Sequence, residues 1–177
     1  MRRFLDGLYF YSGVAAAASL FVIFALVSTQ VGFRLLDSFM RIVGMTPFGV
    51  IVPSIAEICG FLLAAASFLA LAHTLVNGGH IRVSILIDLL PKRIRRAAEA
   101  IIGLAAAVVA AYATVALARL ALKSFTFNDV SYGFIAVPLA LPQAAMTLGL
   151  AILTIAIVDV TIAVARKGAV LPGSSEV

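Results

Sequence analysis

The chain has one cysteine, Cys59, no tryptophan and only two histidines in 177 residues. A lone thiol inside an apolar run builds neither a disulfide framework nor a cysteine metal site. Charge is scarce too: Asp, Glu, Lys and Arg make up 12% of the chain, about half the usual share of a soluble domain. Hydrophobic residues reach 63% and mean hydropathy is +1.16, which excludes a water-soluble domain able to hold a cofactor fold. No nucleophile elbow, HExxH, CxxC, P-loop or GxGxxG pattern occurs, so no catalytic, cofactor-binding or metal-binding residues are expected, and the chain is not expected to be an enzyme. The net charge of +5 does not signal nucleic acid, because the basic residues flank apolar runs instead of forming one stripe with interleaved aromatics.

What is present is four apolar stretches, over about 8–33, 50–76, 97–121 and 135–165, each at least the roughly 20 residues that cross a bilayer. They are apolar on every side, as spanning helices are and barrel strands are not. The expectation is an all-α integral membrane protein, a single transmembrane domain over 1–177. Met-Arg-Arg before the first stretch imitates a secretory signal, but the stretch is about twice the length of a signal core, so an uncleaved span is expected. Of the 13 basic residues, Arg2, Arg3, Arg82, Lys92, Arg93, Arg95, Arg96, Arg166 and Lys167 fall on one side and Arg34, Arg41, Arg119 and Lys123 on the other. That bias places both termini and the middle loop in the cytoplasm.

The third stretch carries Gly103, Ala107 and Ala111 four apart, a spacing that suits close helix packing. Pro138 and Pro142 fall near the start of the fourth, where a missing amide costs least. Asn77-Gly78-Gly79 ends the second. Beyond it His80, Ser84 and Asp88 recur every four residues, with Ile81, Ile85, Leu86, Leu89 and Leu90 on other faces. This predicts an interfacial amphipathic arm helix over about 80–90, between helices 2 and 3. The rival strand would leave its backbone unpaired at a membrane surface. Lys92, Arg93, Arg95 and Arg96 after Pro91 anchor the return at anionic headgroups.

His80, Ser84 and Asp88 have the residue types of a hydrolase triad but not its order, because serine stands where histidine should. Glu57 is the most exceptional carboxylate, since one at mid-bilayer costs about 2.5–3.5 kcal/mol. Ser54-Ile-Ala-Glu57 also reads as a capping box at a helix start. Asp159 lies seven residues before Arg166 on nearly the same face, which suggests an interfacial pair. His73 reads as a helix-end histidine, and Tyr112 and Gln143 as bonds to neighbouring helices. Residues 7–33, 58–72, 100–118 and 135–158 contain no Asp, Glu, His, Lys or Arg. An autonomous pump or ion-coupled carrier keeps such groups or broken helices at mid-depth, so a partner or scaffold role is expected.

Gly79-His80-Ile81-Arg82-Val83, set between a second span and a Leu-Leu-Pro-Lys-Arg return, resembles the small (Q-type) membrane subunit of tripartite ATP-independent periplasmic (TRAP) transporters. Arg41-Ile-Val-Gly-Met-Thr-Pro47 followed by Glu57, and Val137-Pro138 followed by Pro142-Gln143 and Gly149, extend the resemblance from about Arg41 to Gly168. Where the family usually continues His-Ile-Arg-Val with aspartate, this chain has Ser84, and Asp88 follows a turn later. The resemblance implies that the arm lies along the membrane and that the subunit scaffolds a large multi-spanning membrane subunit that carries substrate. It also implies a periplasmic solute-binding protein delivering carboxylate-bearing solutes, with sodium-driven uptake. Arg41, Glu57, His80 and Arg82 are then the candidates for assembly or partner positioning. The alternative is an autonomous channel or exporter acting as a homo-oligomer through the alanine-rich span.

Overall fold

The structure, a computed structural model, describes residues 2–49, 53–78 and 91–167. These form four α-helices: α1 (Arg2–Ile42), α2 (Ile55–Val76), α3 (Lys92–Thr126) and α4 (Ala140–Lys167). All four are long and apolar enough to cross a bilayer, where only internally hydrogen-bonded helices or closed barrels can span. The expected arm over 80–90 lies outside the described residues.

The helix ends differ from the apolar stretches for identifiable reasons. α1 runs for 41 residues because no proline interrupts it and polar residues at its far end do not break a helix. It stops in a Schellman turn: Gly44 takes φ 77, while Gly44 N donates to Arg41 O at 3.2 Å and Met45 N to Met40 O at 2.8 Å. Asn128, at φ 53, closes α3 in the same way, with Asp129 N donating to Ser124 O at 2.9 Å. Gly78, at φ 73, follows the end of α2. α4 starts at Ala140 and not at 135, because the preceding residues are committed to a tight loop. There Val130 pairs antiparallel with Pro138, Ser131 N donates to Val137 O at 2.9 Å and Leu139 N to Asp129 O at 3.0 Å.

The helices form an open row. α1 packs on α2, α2 on α4 and α4 on α3, while α1 touches α4 only lightly. The buried core is mostly alanine, including Ala65, Ala66, Ala72, Ala107, Ala110 and Ala156, with Tyr9 and Leu150. Small side chains let backbones approach closely enough for dispersion to hold helices together in lipid. The closest approach to a neighbouring helix's backbone is at Gly149, where a Cβ would stand 2.5 Å from the Phe68 carbonyl carbon and 2.7 Å from Leu69 N. Between α1 and α2, the Ser12 hydroxyl donates to Leu69 O, Gly13 faces the His73 ring, and Tyr9 packs with Ala72, Leu75 and Val76.

Between α3 and α4, Gly103 lies against Thr161, Ala107 and Ala110 are buried, and Thr114 Oγ1 meets Thr154 Oγ1 at 3.2 Å. Ala111 is exposed in this chain. A helix turns once in 3.6 residues, so a strict step of four drifts off the contact; the line runs through 103, 107, 110 and 114 instead.

Gly149→Ala is expected to force α2 and α4 apart at backbone atoms that cannot rotate away, at a cost of about 1–3 kcal/mol. Gly60→Ala, where nothing lies within 4 Å of the new methyl, is expected to be neutral or stabilising by up to about 1 kcal/mol. Thermal unfolding of both variants in one detergent separates the two; equal melting temperatures would contradict the packing.

Candidate functional site

The most unusual polar grouping sits where α2 starts and the α3–α4 loop closes over it. The capping box expected at Ser54 and Glu57 does not form. Ser54 takes the left-handed conformation, φ 56 and ψ 19, and makes no side-chain cap. Its carbonyl starts the helix instead, accepting from Glu57 N and Ile58 N, both at 3.0 Å. Its hydroxyl is drawn away by the loop and accepts from Ile135 N at 3.1 Å.

That loop is held from within by Ser131, which is 6% exposed. Its hydroxyl donates to Ile135 O and accepts from Val137 N, each at 3.2 Å. The fold of the loop presses Gly133 onto the Glu57 carboxylate, so that any Cβ there would collide with Oε2 and stand 2.7 Å from Ser54 Oγ. Glu57 Oε2 is buried and has no hydrogen-bond partner. The flanking rings of Tyr132 and Phe134 are 103% and 96% exposed. Glu57 is therefore a carboxylate clamped between a helix start and a loop, with the acidic group at the end of α2 that its dipole favours.

The other sequence candidates lie apart from this clamp. Arg41 is exposed in the last turn of α1, where a cation complements the helix dipole. His80 and Arg82, with Ser84 and Asp88, lie outside the described residues. His73 is anchored at its helix end: Asn77 Nδ2 donates to His73 Nε2 at 3.1 Å and to His73 O at 2.9 Å. Tyr112 is 77% exposed, and Gln143 Oε1 is buried without a partner among the described residues. Asp159 is exposed, and the side chain of Arg166 lies outside the described residues.

Two acids not singled out in the sequence have structural partners. Asp37 accepts from Phe48 N at 2.9 Å and from Gly49 N at 3.1 Å, tying the segment after α1 back along that helix. Glu99, 6% exposed, accepts from Arg95 Nε at 3.2 Å; the four-residue spacing was the available signal. Among the described residues no group of three or more His, Cys, Asp or Glu is placed to hold a metal ion.

Because the colliding atom is the mobile end of a side chain, Gly133→Ala is expected to swing the Glu57 carboxylate outward at a cost below about 1 kcal/mol. Mass-spectrometric footprinting with a water-soluble carbodiimide should find Glu57 labelled several-fold faster in the variant. Unchanged labelling would refute the clamp.

Comparison with known proteins gives one positive result. The family model described as Tripartite ATP-independent periplasmic transporters, DctQ component, matches residues 31–167, from the last third of α1 to the end of α4. No curated protein and no solved structure matches the chain. A match over well over half of the chain, covering α2, α3, α4, the end of α1 and the Glu57 clamp, makes this protein a member of the DctQ family, the small membrane component of TRAP transporters.

Proposed function

We propose that this chain is a non-catalytic scaffold subunit that holds the large, multi-spanning subunit of a TRAP transporter in the bacterial inner membrane. The substrate pathway lies in that partner. A periplasmic binding protein supplies carboxylate-bearing solutes, and a sodium gradient drives uptake. Both termini are cytoplasmic, as the excess of basic residues on that side favours.

The observation that carries this reading is the lack of ionisable side chains at mid-depth. Residues 7–33, 58–72, 100–118 and 135–158 contain none, while ion-coupled carriers use such groups or broken helices where solute crosses. α1, α2 and α3 are unbroken over those stretches, and α4 is unbroken from Ala140 on. Family membership supplies the partner, and the open row of helices supplies surface for it. Arg41, Glu57, His80 and Arg82 serve assembly in this reading and do not bind solute.

Affinity capture of the tagged chain from native membranes in mild detergent is expected to bring down the large subunit. The purified chain alone in liposomes is expected neither to conduct nor to transport; activity there would replace the scaffold with a self-associating channel. Arg82→Ala is expected to lower recovery of the complex several-fold while solute binding per recovered complex is unchanged. Normal recovery with lost solute binding would overturn that role.

A further inference from the structure

The end of α2 holds a pair of residues whose chemistry the scaffold reading does not use. Asn77 caps the helix, and Gly78, at φ 73, follows it. An asparagine can close a ring through its side-chain carbon onto the backbone nitrogen of the next residue, and a glycine there has no Cβ to obstruct the approach. The chain has two asparagines, and only Asn77 precedes a glycine; Asn128 precedes Asp129. Asn77 is exposed and follows directly on the apolar span Ile55–Val76, so water reaches it.

The folded cap holds the two reacting atoms apart. On the side-chain half, Asn77 Nδ2 donates to His73 O at 2.9 Å and to His73 Nε2 at 3.1 Å, which turns the amide back along α2. On the backbone half, Gly78 N donates to Leu75 O at 3.3 Å. Asn77 stands at φ -88 and ψ 10, a turn conformation that carries the Gly78 nitrogen away from the Asn77 Cβ. Ring closure therefore requires a local opening in which the Nδ2 bonds part, ψ rotates and the Gly78 amide leaves Leu75 O. Such openings at a helix end are far more frequent than global unfolding.

Once the cap is open the reaction needs only water. Gly78 N loses its proton and bonds to Asn77 Cγ, the Cγ–Nδ2 bond breaks, and the amide nitrogen leaves as ammonia, giving a cyclic imide. Water then adds to one of the two imide carbonyls, and the ring opens to aspartate or to isoaspartate. Neither product rebuilds the cap. A carboxylate has no N–H to give to His73 O or His73 Nε2, and it sets an anion at the negative end of the α2 dipole. Isoaspartate also adds a methylene to the backbone where the chain leaves the span.

We infer that Asn77 is a site of spontaneous deamidation, held back by the cap of α2, and that the ring of His73 is the side chain that sets its rate. The same ring lies against Gly13 of α1, so the contact that packs α1 on α2 also guards the asparagine. Loosening of α1 from α2 exposes Asn77 to a change that is not reversed.

The test uses the full purified chain in mild detergent at mildly alkaline pH, beside the same chain unfolded in SDS and urea. Peptide mapping by mass spectrometry follows Asn77 and separates amide, imide, aspartate and isoaspartate. The unfolded chain is expected to convert at least ten-fold faster than the folded one. No conversion at Asn77 in the unfolded chain overturns the site, and equal rates in the two overturn the protection by the cap. His73→Phe keeps a ring against Gly13 and removes the Nε2 acceptor. It is expected to speed conversion of the folded chain about two- to ten-fold, the factor that one hydrogen bond is worth, with the unfolded rate unchanged. An unchanged folded rate in a variant of normal helix content by circular dichroism overturns the role of His73.

Discussion

The contact of Gly149 with the backbone of Phe68 and Leu69 is the junction on which the arrangement of the four helices depends. Apolar side chains gain little from leaving lipid for protein, so helices stay together in a bilayer only where their surfaces fit at short range. α2 and α4 are the inner members of the row, and each also carries one outer helix. With α2 and α4 in place, α1 is held through Ser12, Gly13 and Tyr9, and α3 through Gly103, Ala107, Ala110 and Thr114. The core is thin and made largely of alanine, which leaves most of the apolar surface facing outward.

That distribution separates two uses of hydrophobicity. At the depth of α2, an exposed Phe21 or Val108 needs no protein neighbour, because hydrocarbon tails solvate it. Beyond Phe33 the same exposure has a different meaning, because there the apolar residues of α1 are interleaved with Arg34, Asp37 and Arg41, as suits the headgroup layer and water. Length is therefore as informative as composition in this chain. α1, at 41 residues, is the longest of the four helices.

The helices themselves were legible in the sequence because long apolar runs leave a bilayer-spanning chain few alternatives. Their ends were less so. Asn77-Gly78 announces the stop of α2, but the start of α4 is moved by the loop closed around Ser131 and by the Val130–Pro138 pairing, both set by contacts across several residues. Ala111 is exposed in this chain, because a four-residue step follows the contact between α3 and α4 for one turn and then leaves it. Ser54 and Glu57 match a local motif, yet a residue 81 positions away takes the serine hydroxyl, and no local pattern contains that information. The extra length of α1 was hidden because Arg34, Asp37 and Arg41 look like the end of a span, although they are ordinary residues for a helix in water.

The α3–α4 loop has a mechanical consequence. It is braced internally by Ser131 and tied to α2 through Ser54, while Tyr132 and Phe134 at its tip have their rings fully outside the protein. The amphipathic ring of Tyr132 prefers the boundary between tails and headgroups, and the apolar ring of Phe134 the tails. Mounted together on a stiff bracket they act as a float line: they give the molecule a preferred height in the leaflet, so that it rides at a set level before any neighbour arrives.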